Sequence, residues 1–479
     1  MNAPRPPAKP PNRRWLLAGL AALLALAAGV ALFRTSQPPL PIPVPPGIQT
    51  LDPQVRAHLA KLADSIAQAP RDAERRADMG LAFAVNGLWP EARQCFTNAQ
   101  QLGNSGPLPA MYAAVANQEM GDYEGAIREL REVVRLHPDF APAWHRLGHA
   151  FIASGQPVAA VETFTAVTRL APRDWHGWAG LGEAQLRSGQ GPAAVESLTQ
   201  ANQLDPATRS IHFLLGQAYQ AVGRTNEARA ELAAGGTQSL SPMPDPWSVR
   251  AIDHMKSLPD QFERADILVA RGEFEEAIGR LKEALRFHPT NSAVIASLGR
   301  ALNGGSKPDA AWELLSRAMQ RTPDDVALLV VAVDSAAALD RTNEALALAS
   351  RALELAPQSA EVHIAHANAL LALGNDAAAV TSLRRALDLA PRDIGLWVQL
   401  GDTLQHNLKS PDDAIAAYRQ GHQTDPLHAS PLLALTTLFL EQGRTREAED
   451  SLAQLRKLPL DPAILRNLER RFREATTHR

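Results

Sequence analysis

The chemistry open to this chain is narrow. His145 and His149 lie one helical turn apart, with His176 and Glu183 further along, and imidazoles at i and i+4 beside a carboxylate are a donor set for a divalent metal. Chance also places histidines at this spacing, so metal binding through His145, His149 and His176 is the alternative reading. His363 and His366 form a second pair at positions expected to pack inward. His137-Pro138 and His288-Pro289 recur where helices should end, and there a histidine complements the terminal carbonyls. Cys95 is the single cysteine, which excludes an intramolecular disulfide and a cysteine-rich zinc site. With no phosphate loop and no nucleophile elbow, the sequence points away from an enzyme, and no cofactor is expected.

What positions these residues is a repeat. Alanines recur at Ala92, Ala126, Ala160, Ala194 and Ala228, then at Ala277, Ala311, Ala345 and Ala379, then at Ala414 and Ala448, the last pair shifted by one residue. Prolines keep the same beat at Pro70, Pro138, Pro172 and Pro206, and at Pro289, Pro323, Pro357, Pro391 and Pro426. A spacing of 34 residues holds one helical hairpin, so the pattern predicts an all-α solenoid. Composition agrees: 45% of residues are hydrophobic but only 5% aromatic, which suits many small helix contacts. A net charge of −3, from 48 basic and 51 acidic residues, leaves no surplus for a nucleic-acid backbone.

The N-terminus predicts a compartment. Residues 1–14 are a basic tail, and Trp15 to Phe33 is an apolar run of 19 residues, long enough to span a bilayer as one helix. Only Arg34 is basic between that run and Arg56, so the positive-inside rule places the tail in the cytoplasm and the rest in the periplasm, behind a single-pass inner-membrane anchor. Cleavage as a signal peptide is the alternative. Residues 34–51, rich in proline, read as a semi-rigid stalk.

The third unit reads Trp144, Leu147, Gly148, Phe151, Ala160, Phe164, Val167 and Pro172, and it resembles the tetratricopeptide repeat (TPR) family. Eleven hairpins are expected between a capping helix after Asp52-Pro53 and a second one over 461–479. They form one block over 52–238 and another over 258–460. Twelve residues before the alanine stands a small residue, Gly80, Gly148, Gly182, Gly216 or Gly299 among them, expected to face that alanine where the helices cross. The insert at 239–257 breaks the phase by 15 residues, and its prolines impose extended chain before a short helix. The blocks are therefore expected to couple weakly.

The resemblance implies that first helices line a concave groove for an extended peptide, with the ninth residue of each repeat contacting it. In this chain the polar residues at that position are His149, Glu183, Gln217, Asp266, Arg300, Asp334, Asn368 and Asp402. The expected function is a non-catalytic, membrane-tethered scaffold or assembly factor whose partner is a protein.

Overall fold

The computed structural model describes residues 39–236, 239–458 and 460–477. The expected tail and anchor, and the stalk up to residue 38, lie outside them. Among the described residues there are 25 α-helices and no strand, and no helix is long and apolar enough to cross a membrane.

Eleven helical hairpins stack in the expected order. Five cover 73–101, 107–136, 141–170, 175–204 and 209–234, and six cover 258–287, 292–319, 326–355, 360–389, 394–424 and 429–455. The capping helices are Pro53–Gln68 and Pro462–Thr477. Asp52 starts the first by accepting from the Gln54 N–H at 2.8 Å, with Pro53 in the first turn where no donor is needed.

Two residues explain the beat. The lattice alanine is sealed between helices, 0% exposed in ten of eleven repeats and 2% at Ala228. The small residue before it does not chiefly face that alanine, as expected, but the large side chain four residues later. A Cβ on Gly80 would stand 2.5 Å from the Phe96 ring, and one on Gly148 2.6 Å from Phe164. Gly182 meets Leu198 and Gly401 meets Tyr418 in the same way.

Five residues before each alanine the hairpin turn is left-handed in all eleven repeats. Glycine takes that conformation eight times; Ser306 (φ 57°), Asp340 (φ 59°) and Lys409 (φ 53°) take it with a side chain. The one-residue shift before Ala414 is absorbed in the tenth repeat, where the first helix, Ile394–Asp402, continues as a π turn over Thr403–Asn407.

The apolar cores of the two blocks are separate. One cluster runs from Val55 to Ala184 and takes in Met243 and Trp247, while others run through 265–332, 329–369 and 367–468. Contacts between blocks are polar. Asp52 accepts from the Leu258 N–H at 3.2 Å and meets His288 at 3.2 Å, and Arg209 pairs with Asp425. The sixth hairpin thus begins beside the N-terminal cap, and the tenth ends beside the fifth.

The proline-rich segment, expected to be a free stalk, is packed on the first hairpin where the structure describes it. Pro45 is buried, and Arg76, only 1% exposed, donates to the carbonyls of Pro41 at 2.9 Å and Leu40 at 2.6 Å.

Candidate functional site: two concave faces

The first-helix face of block one is covered by the chain itself. After the short eleventh helix ends at Ala234, the backbone turns at Gly235 and Gly236, whose N–H donates to the Arg209 carbonyl at 3.2 Å. The insert then runs back across the first helices, against the order of the repeats. Leu240 packs with Ala179, Ala201 and Ile211 of the fourth and fifth repeats. Ser241 meets His176 Nε2 at 3.4 Å in the fourth. The Met243 N–H donates to His145 Nδ1 at 3.4 Å in the third.

Asp245 takes the Tyr112 hydroxyl at 3.1 Å in the second repeat and also caps the helix Pro246–Ala251, accepting from the Trp247 and Ser248 N–H groups. Burial, then the Asp245 charge, raises the Tyr112 phenol above its ordinary value and keeps it a donor. Trp247 packs against both Phe96 and Tyr112, with ring centroids 5.7 and 5.4 Å away, and the three rings form a cluster. Arg250 pairs with Glu74 at 2.7 Å and Asp78 at 2.9 Å in the first repeat. His254 closes the path, 3.0 Å from His58 of the cap.

The three histidines that could hold a metal are part of this seam. His145, 1% exposed, has one ring nitrogen taken by the Met243 N–H, so the other carries the proton and donates to His149 Nε2 at 3.3 Å. His176 turns its Nδ1 to Asp174 at 2.6 Å. Burial, reinforced by the neighbouring His149, Arg146 and His176, holds His145 well below the ordinary histidine value; burial, Arg146 and His176 bring His149 down to about 4. Among the described residues no group of three or more His, Cys, Asp or Glu stands where a metal could be held. His363 donates its Nε2–H to the Pro357 carbonyl, 3.0 Å away, and His366 meets Ser382 at 3.0 Å, so that pair serves its own hairpin. Cys95 is fully buried, and burial pushes its thiol up to about 12, which leaves it unreactive.

Where the insert enters, a cavity of about 350 Å³ remains, and it unites the block-one residues of the expected groove: His149, Glu183 and Gln217 line it with Arg187, Ser210 and Leu240. Glu183 is held by Arg187, one turn on, at 2.9 Å.

In block two the repeats follow one another without an insert, and polar bonds join the first helices of the eighth, ninth and tenth repeats, with the seventh joined to the ninth. Arg300 reaches Glu361 at 3.0 Å, Asn368 donates to Asp334 at 3.2 Å and Gln399 donates to Asn368 at 2.8 Å. Burial raises the Asp334 carboxyl, offset in part by Asn368 and Arg300. Asp402 stands outside these bonds, accepting from the Tyr418 hydroxyl of its own hairpin at 2.6 Å, and Asp266 is exposed. Glu361 and Gln399 were missed from the sequence because they sit at other repeat positions and enter only through their partners. Tyr112, Asp245 and Trp247 were missed because 133 residues separate the first two. The one signal was the alternation of proline with Met243, Asp245 and Trp247.

Family models described as tetratricopeptide repeat match residues 118–186, 268–334 and 360–403, so the chain carries tetratricopeptide repeats. A curated relative, small glutamine-rich tetratricopeptide repeat-containing protein 2 of Mycosarcoma maydis, is 30% identical over 73 residues. The match covers 15% of this chain and spans 21% of that protein's length. Among solved structures, yeast Tom70 is 15% identical, with 85% of this chain and 96% of that one covered at a TM-score of 0.40. TTC0263, a thermophilic TPR protein of Thermus thermophilus, is 23% identical, covering 39% of this chain and all of its own, at a TM-score of 0.33. MamA from Desulfovibrio magneticus is 23% identical over 33% of this chain and 90% of its own, at 0.32. Tetratricopeptide repeats are in general non-catalytic modules that bind protein partners.

Proposed function

We propose that this tetratricopeptide-repeat chain is a docking scaffold or assembly factor that takes an extended polypeptide along the concave face of block two. The polar row of Arg300, Asp334, Asn368 and Gln399 carries the reading, since it offers one polar group per repeat on a face that no insert fills. A bound backbone would exchange hydrogen bonds with this row at little cost, each worth on the order of 1 kcal/mol net. In this reading residues 15–33 tether the scaffold to the inner membrane and the repeats face the periplasm; the charge asymmetry around the apolar run supports it.

Photoreactive residues in place of Asp266 or Arg300, both exposed, should label a partner in membranes, while the same group at exposed second-helix residues Arg317 or Arg351 should not. Labelling from the second helices alone would move the site to the convex face. Protease added to spheroplasts should digest the repeats, and protection would overturn the topology.

A further inference from the structure

The insert is seated as a ligand is seated. Along Pro242 to Trp247 exposure alternates residue by residue: Pro242, Pro244 and Pro246 face solvent, whereas Met243, Asp245 and Trp247 are 5%, 5% and 4% exposed. Up to Asp245 the chain is extended and turns successive side chains to opposite sides, and Asp245 then caps the short helix whose first turn carries Trp247. The three inward residues meet three repeats in turn: His145 for Met243, Tyr112 for Asp245, and the Phe96 and Tyr112 rings for Trp247. The hairpins behind are built without it, since the contacts of Gly80 with Phe96, Gly148 with Phe164 and Gly182 with Leu198 all lie within single hairpins.

We infer that the first-helix face of block one is a second peptide-binding site, occupied in cis by residues 240–254, and that it exchanges this segment for a polypeptide of the same form: an extended proline-rich stretch ending in an acid that caps a short helix, with a tryptophan two residues after the acid. Each element of that chemistry has its receptor. The Tyr112 hydroxyl, kept protonated, requires an acceptor; the slot beside Phe96 takes an indole; Glu74 and Asp78 select a cation three residues beyond it, where Arg250 now lies. The inference is independent of the block-two reading.

The test uses the full chain and a labelled peptide of residues 239–256. Wild type should not bind the peptide, because its own segment is present at the high effective concentration of a tether. The double variant Asp245→Ala, Trp247→Ala should keep its helical circular dichroism and bind the peptide. Adding Tyr112→Phe should weaken that binding about tenfold, as loss of a hydrogen bond to a charged group does. A peptide with alanine at the tryptophan position should not bind. If the double variant loses the helical signal of block one, the insert is an integral core element and the inference fails. A folded variant that ignores the peptide, or a wild type that binds it as well as the variant does, overturns it too.

Discussion

At Gly148 a single hydrogen atom separates a close-packed hairpin from a clash. The Phe164 ring occupies the space a Cβ would need, 2.6 Å away, and it is enclosed with 0% exposure. Gly148→Ala should therefore cost about 1–3 kcal/mol, the range for overpacking a tight core, read as a shift in urea midpoint. The buried imidazoles give a second expectation. His58 and His149 are each held down at about 4, the first mainly by burial and then by His254. Unfolded histidine titrates near ~6.5, so between about 6.5 and 4 the unfolded chain binds the extra protons and stability falls as pH falls. Block one should lose stability between pH 7 and 5, seen as a lower melting temperature, with His212, raised despite its burial by the bond to Glu231, opposing part of the loss. An unchanged melting temperature would mean that these rings are already solvated.

The hairpin turn shows how far an element can be read from its sequence. The left-handed residue five before each alanine is required whatever its identity, and Lys409 meets the requirement at a cost that glycine would not incur. Lys409→Gly should stabilise block two by about 0.5–1 kcal/mol in a urea titration, the relieved left-handed strain exceeding the added freedom of the unfolded chain. Helix number, order and most boundaries were legible because hairpins pack against neighbours about one period away, and a local beat records a local contact. The Phe96, Phe164 and Tyr418 rings filling the glycine sites were equally present in the sequence, four residues past the alanine, but the partner was assigned to the alanine itself. Of the insert, the extended chain before a short helix was legible, but its place on the repeats was not. Its residues follow neither helical nor repeat spacing, and Asp245 and Arg250 find their partners 133 and 176 residues upstream. The bonds among Asp334, Asn368 and Gln399 were not legible, because they belong to the superhelix and not to any one repeat.

For the whole molecule, the division into blocks has an energetic content. No apolar cluster among the described residues joins 52–251 with 258–477, and the contacts that bridge them are the Asp52, His288 and Arg209–Asp425 polar ones. Two isolated polar pairs with no apolar interface around them are too little to make two repeat arrays unfold as one. Calorimetry should resolve two transitions, and fragments 39–256 and 257–479 should each fold. One cooperative transition, with neither fragment helical, would show that the bridging contacts couple the blocks. Block one is cut here after the insert, because a fragment ending at residue 240 would leave the Phe96 and Tyr112 rings without Trp247.

The order of residues in the insert also governs what the filled face does to other chains. Extended segments invite strand pairing when they present a row of free N–H groups. Pro242, Pro244 and Pro246 have no N–H to present, and along an extended chain every second amide points to the same side. The intervening amides are all engaged, Met243 with His145, Asp245 with Ser248 and Trp247 with the Asp245 carboxylate. The segment crosses a groove suited to extended chains while leaving no edge onto which another chain could be added.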